Sequence, residues 1–221
     1  SYKIRARSKW NWKDFDTVRM EISVGQEYHE GEKLRLTMDW ARENFKHKVL
    51  ILGDTTQRFN TMFKTACSEE EAVKITRRLG DEWLERNKSH LYDIQITRWD
   101  DWKSHPDYEE TYAAVCKLYD THKPFHLALL NASQEYWLRQ NLPEKEKERF
   151  FMLSKQYLLE ETAIFAVAYG EIGGISAYPG SYLELWEMFI GQTSQDFPKG
   201  LSKGYWARLS FTKKKTEIVA A

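Results

Sequence analysis

Polarity along the chain changes period several times, and each change predicts an element. Residues 18–24 (VRMEISV) alternate roughly between apolar and polar, as a strand does. In 31–46, Leu34, Met38, Ala41 and Phe45 recur at helical spacing and predict an amphipathic helix. Val49, Leu50, Ile51 and Leu52 form a continuous apolar run ending at Gly53, which suits a central parallel strand covered on both faces. Strand, helix and strand in this order predict an α/β unit.

Further along, Ser68 and Glu71 have the spacing of a capping box opening a helix through about Asn87. Its apolar stripe reads as Ala72, Ile75, Leu79 and Trp83. Residues 93–99 alternate again, with Ile94 and Ile96 against Gln95 and Thr97, and predict a second sheet strand. Helices are expected at about 107–121, 125–140 and 144–162, with Pro124 and Pro143 at starts, where proline is tolerated. Gly170, Gly173 and Gly174 break the chain before ISAYPG, and 181–191 reads as a helix. The closing YWARLSFTKKK suggests an edge strand with a basic tail. No repeat or linker-like stretch divides the 221 residues, so one domain over 1–221 is expected.

Composition narrows the classes. Apolar residues make up 42% and aromatics 14%, which is enough for a globular core. Lys+Arg and Asp+Glu both number 33, so net charge does not advertise a nucleic-acid binder and any polyanion site must come from local clustering. Lys74, Arg77, Arg78, Arg86 and Lys88 offer one such cluster, either a phosphate-tracking stripe or an ordinary solvated helix face. The two cysteines, Cys67 and Cys116, lack metal-ligand spacing, which argues against a disulfide framework or a structural zinc site. There is no HExxH, GxxxxGK[ST] or GxGxxG, so a nucleotide hydrolase or dehydrogenase has little support. No apolar run approaches a membrane span and no signal-peptide pattern opens the chain, so a reducing, cytoplasmic setting is expected.

Three constellations carry candidate chemistry. The loop Gly53-Asp54-Thr55-Thr56-Gln57-Arg58 should lie beyond the carboxyl end of a strand, where ligands bind in open α/β sheets. A hydroxyl there can act as a nucleophile; a threonine N-cap explains the same sequence without chemistry. Tyr157 and Glu161 are four residues apart, on one helix face, and a phenol beside a carboxylate can receive an ammonium group. They are equally compatible with an ordinary exposed helix. Tyr178 precedes Pro179 in an extended segment, where it serves as a site hydroxyl or a packed aromatic.

Taken together these segments resemble the cyclodipeptide synthase family, over most of the chain. The resemblance implies a Rossmann-like α/β domain similar to the catalytic domain of class I tyrosyl- and tryptophanyl-tRNA synthetases, without their ATP-binding motifs. It implies that two aminoacyl-tRNAs per turnover are joined into a diketopiperazine, with no cofactor and no metal. The family's strand ends in Gly, any residue, then a nucleophilic Ser; VLILGDTT sets Thr55 at that Ser, with Thr56 the candidate if the register is off by one. Threonine adds a methyl beside the attacking oxygen and stiffens χ1. Tyr157 and Glu161 match the Tyr-x-x-x-Glu that holds the aminoacyl ammonium, and Tyr178 matches the Tyr near the nucleophile. Pro179 after Tyr178, and Arg58 where another subfamily has Asn, imply the Tyr-Pro branch. Gly53, Arg58 and Leu52 become substrate-contact candidates, and Lys74, Arg77, Arg78, Arg86 and Lys88 fall on the basic helix that meets tRNA. Two other readings share these residues: an aminoacyl transferase that uses a different acceptor, and a non-catalytic RNA-binding module.

Overall fold

The structure, a computed structural model, describes residues 1–180, 182–194 and 197–213. Six strands form one sheet: β1 (Tyr2–Arg7), β2 (Thr17–Ser23), β3 (His47–Gly53), β4 (Gln95–Arg98), β5 (Ile175–Tyr178) and β6 (Trp206–Lys213). Their spatial order is β1-β6-β5-β2-β3-β4. All neighbours pair in parallel except β1, which runs antiparallel to β6. The helices are α1 (Gly31–Asn44), α2 (Arg58–Thr65), α3 (Glu69–Asn87), α4 (Trp99–Lys103), α5 (Tyr108–Thr121), α6 (Lys123–Gln140) and α7 (Lys147–Ile172).

The predicted strand–helix–strand unit is β2-α1-β3. Leu34, Met38, Ala41 and Phe45 are all buried, and they pack with Val18, Met20 and Ile22 on one face of the sheet. The other face meets α7, α5 and α6 through a second core that includes Ile51, Trp99, Phe125 and Phe165. Both faces of β3 are thus covered, as its unbroken apolar run requires.

Four elements differ from the sequence reading, one of them the segment expected as a helix over 181–191, which is a 3-10 helix over Tyr182–Phe189. Helix α7 does not stop near 162 but continues to Ile172, and every residue from Leu158 to Tyr169 is buried. A helix enclosed on all sides shows no polar stripe, so periodicity cannot mark its end. On α3 the buried stripe is Ala72, Thr76, Gly80, Trp83 and Asn87, while Leu79 faces solvent. Gly80 is needed there, since a Cβ would come within 2.6 Å of Asp54 Oδ2. Finally, β6 is not an edge strand: β1 covers it, and the charged Lys3, Arg5 and Arg7 of β1 suit an exposed edge. The basic tail beyond Lys213 lies outside the described residues.

From β2 the chain crosses to β3 on one side, while β5 arrives on the other. A crevice therefore opens beyond the carboxyl ends of β2 and β5, the usual ligand position in such sheets. Ser23 ends β2, and Tyr178 ends β5.

Candidate active site

A cavity of about 870 Å³ occupies this crevice. That is near the upper end of the roughly 300–1,000 Å³ typical of small-molecule sites, and it can hold more than one amino-acid-sized group. Ser23, Gln26 and Tyr28 line it from the end of β2, Tyr157 and Leu158 from α7, and Tyr178 and Gly180 from the end of β5. Phe59, Asn60 and Phe63 of α2 and Asn131, Tyr136 and Arg139 of α6 close the remaining sides.

Ser23 is held from several directions. Its backbone N–H donates to His29 Nδ1 at 3.0 Å, and the Trp83 indole N–H donates to the His29 carbonyl at 3.0 Å. Burial is the main reason that His29 titrates at about 4, so its ring is neutral, and Nδ1 also lies 3.2 Å from the Ser23 carbonyl. Gly25, at φ +89°, lets the chain reverse immediately after the serine. The Tyr178 hydroxyl shares a hydrogen bond of 3.1 Å with Tyr28 and lies near the Ser23 side chain, with which it lines the cavity. Burial, and then the neighbouring Tyr28, push the Tyr178 phenol far above its ordinary range, so it stays protonated.

Tyr157 and Glu161 share one face of α7, and the Tyr157 hydroxyl donates to Glu161 Oε1 at a long 3.4 Å. Glu161 is buried, and its Oε2 has no partner. Burial above all, then the charges of Glu21 and Glu160, raises its carboxyl well above the usual range. A cation supplied from outside would stabilise the ionised carboxylate and give the orphaned oxygen a partner.

The loop after β3 is organised differently. Thr55 is buried, its hydroxyl donates to Asp100 Oδ1 at 2.6 Å, and it does not line the cavity. Thr56 is buried as well and is also absent from the lining. Thr55, expected at the nucleophile's position, is thus placed outside the cavity lining, because the residues after β3 turn into α2 and fold inward. Arg58 is likewise not available to a substrate. Its guanidinium grips Glu160 through two hydrogen bonds, 2.7 and 2.5 Å, and reaches Glu69 at 2.8 Å. Burial alone would raise the Glu160 carboxyl, but Arg58, Lys103 and the Trp99 indole hold it below its ordinary value. Leu52 is sealed in the core and Gly53 pairs with Ser23 across the β2–β3 ladder; neither lines the cavity.

On α3 each expected tRNA-binding cation already has a carboxylate neighbour. Lys74 meets Glu70 at 2.6 Å, Arg77 meets Asp100 at 2.6 Å, Arg78 meets Glu82 at 3.7 Å and Arg86 meets Glu30 at 2.8 Å, while Lys88 pairs with Glu85. Such exposed pairs are worth about 0–1 kcal/mol and yield readily to a phosphate.

Ser23 escaped the sequence reading for a definite reason. The Gly-x-Ser pattern fits Gly53-Asp54-Thr55 when glycine is given weight, whereas Glu21-Ile22-Ser23 keeps the serine and replaces the glycine. The available signal was a strand ending in Ser with Gly two residues later.

No protein-family model matches the chain, and no curated protein does. Solved structures do match. A CDPS (cyclodipeptide synthase) from Fluoribacter dumoffii is 26% identical with a TM-score of 0.82, covering 96% of this chain and 100% of its own. A Mycobacterium tuberculosis protein whose structure relates cyclodipeptide synthetases to type I tRNA synthetases is 13% identical, TM-score 0.71, covering 95% and 93%. A cyclodipeptide synthase from Candidatus Glomeribacter gigasporarum, bound to Phe-tRNA, is 17% identical, TM-score 0.65, covering 93% and 91%. The chain thus has the cyclodipeptide synthase fold: a mostly parallel sheet flanked by helices, with its crevice at the ends of β2 and β5.

Proposed function

We infer that the chain is a tRNA-dependent cyclodipeptide synthase, which joins the amino acids of two aminoacyl-tRNAs into a cyclic dipeptide through an aminoacyl-enzyme. The observation that carries this reading is the Ser23 hydroxyl, which lines the cavity with Tyr157 and Tyr178, next to a buried Glu161 whose Oε2 lacks a partner. Likeness to the Fluoribacter dumoffii protein over nearly the whole chain supports it.

An aminoacyl-tRNA ester is already activated, so the protein's task is mainly positioning. Ser23 takes the nucleophile role first expected of Thr55. Its Oγ attacks the ester carbonyl carbon, the bond to the ribose oxygen breaks, and the serine proton passes to that departing oxygen. Tyr178, beside Ser23 in the cavity wall and protonated, is the hydroxyl assigned to relay this proton. Glu161, oriented with Tyr157, takes the α-ammonium. The amine of a second aminoacyl-tRNA then attacks the serine ester, returning the proton to Ser23 and leaving a dipeptidyl ester on tRNA. Cyclisation by its own amino terminus releases that tRNA.

The tRNA backbone is assigned to Lys74, Arg77, Arg78, Arg86 and Lys88, which would exchange carboxylate partners for phosphates. Residues 1–221 act as one catalytic unit, Tyr178-Pro179 marks the Tyr-Pro branch, and the setting is cytoplasmic, where charged tRNA is found. Among the described residues no helix is long and apolar enough to cross a membrane. The test is to incubate the protein with charged tRNA carrying labelled amino acids and map the ester-linked label. Label on Ser23, lost in Ser23→Ala and retained in Thr55→Ala, is expected. Label that persists in Ser23→Ala overturns the assignment.

A further inference from the structure

Side chains alternate along β2, so Arg19, Glu21 and Ser23 share one face while Val18, Met20 and Ile22 enter the core on the other. Glu21 follows Ser23 into the protein at roughly 6.6 Å, two residues' rise along a strand.

This stretch holds a group of polar atoms without partners. Glu21 is buried; its Oε1 accepts from the Ser176 hydroxyl at 2.6 Å, but its Oε2 has no partner. Glu161 Oε2 and the Tyr169 hydroxyl are also unpartnered, the latter close to Glu21 but without a well-formed bond. Arg19 does not satisfy them. Its guanidinium donates to Ser176 and to the carbonyls of Gly173, Lys203 and Tyr205, and it stacks over Tyr169 at 3.8 Å. A buried carboxylate oxygen with nothing to accept is costly, and two close together are more so. The α-ammonium accounts for Glu161 and leaves Glu21 unexplained.

We propose that Glu21 selects the first amino acid, and that it takes one with a cationic side chain, a guanidinium or an ammonium. This rests on the reading of the chain as a cyclodipeptide synthase. An amino acid esterified to Ser23 with its α-ammonium at Glu161 has its side chain beside the same wall. The spacing from Ser23 to Glu21 matches the reach of an extended arginine or lysine side chain. Such a group brings Glu21 a charged donor, which Arg19 does not supply, and a site built around a buried acceptor rejects analogues without a donor.

The experiment loads the full chain, in separate reactions, with tRNA charged with labelled arginine, lysine, leucine or phenylalanine. Ester adduct on Ser23 and cyclic products are both read by mass spectrometry. Arginine or lysine should load, and the two arms separate guanidinium from ammonium. Glu21→Gln should lower loading of the cationic residue on the order of a hundredfold relative to leucine. Glu21→Leu should favour the apolar residues; circular dichroism checks its fold, and the nearly isosteric Glu21→Gln carries the test if it does not fold. Loading by apolar residues alone overturns this inference and leaves the synthase reading intact. Unchanged selection in a folded Glu21→Gln also overturns it. No adduct from any charged tRNA removes the synthase reading, and this inference with it.

Discussion

The carboxyl ends of β2 and β3 are adjacent, paired at Ser23 and Gly53, yet they are built on opposite terms. On the β3 side the buried acids are ion-paired, Glu160 with Arg58 and Lys103 and Asp54 with Arg98, although Asp54 Oδ1 keeps no partner. Around Ser23 the buried acids Glu21 and Glu161 form no ion pair among the described residues, and each keeps an unpartnered oxygen. Two loops in equivalent topological positions therefore differ in what they are for. Where the protein supplies its own counter-charges it makes a brace, and where it withholds them it leaves work for a ligand.

The largest test of this contrast is the hydroxyl pair. Ser23→Ala should abolish the aminoacyl adduct, whereas Thr55→Ala should keep it and cost about 1–3 kcal/mol of stability by removing a hydrogen bond to Asp100. Equal loss of adduct in both variants would erase the distinction between the loops.

Next comes the brace itself. Arg58→Met leaves the buried Glu160 with only Lys103 and the Trp99 indole, and should destabilise the fold by about 3 kcal/mol in chemical denaturation. Glu161→Gln should behave in the reverse way. It should keep or slightly raise stability, because a buried carboxyl with an orphaned oxygen is removed, yet slow product formation by about one to two decades. A stability loss as large as that of Arg58→Met would make Glu161 a structural residue.

His29 gives a pH handle on the open side. Its folded value, about 4, lies below the ordinary 6.5, so the unfolded chain binds the proton more readily. The stability that follows is fully present above pH 6.5 and is lost as pH falls through that window toward 4, by up to about 3 kcal/mol. His29→Phe should flatten the stability profile between those limits. It should also reduce adduct formation at neutral pH, since the Ser23 backbone loses its hydrogen-bond partner. A profile that keeps its slope in this variant would assign the titration elsewhere.

The smallest effect is expected on the surface. Reversing Lys74, Arg77 and Arg78 to Glu should weaken tRNA binding and lessen its salt dependence, with stability changed by less than about 1 kcal/mol. Undiminished binding at low salt would return α3 to an ordinary solvated face.

Much of the architecture was legible in local pattern. The stripe from Leu34 to Phe45, the run from Val49 to Leu52 and the four-residue step from Tyr157 to Glu161 each state a local periodicity, and local periodicity survives into the fold. The sequence by itself determined that a parallel α/β sheet forms and that a phenol and a carboxylate share one helix face. It could not show which strand end is open. Thr55 and Ser23 are both hydroxyls at the ends of apolar or alternating strands, and nothing near them in the chain says that Asp100 will engage one and Tyr178 the other. Those partners are 45 and 155 residues away, and only the packing of α4 against the sheet and the pairing of β5 with β2 bring them in. Charge followed the same rule. Arg58 reads as an exposed cation until α7 delivers Glu160, 102 residues on, and Glu21 reads as the polar side of a half-buried strand until α7 closes over it. Tertiary structure decided which polar groups are satisfied, because burial and partners are properties of the assembled sheet and helices, and the reactive site lies where that assembly leaves them wanting.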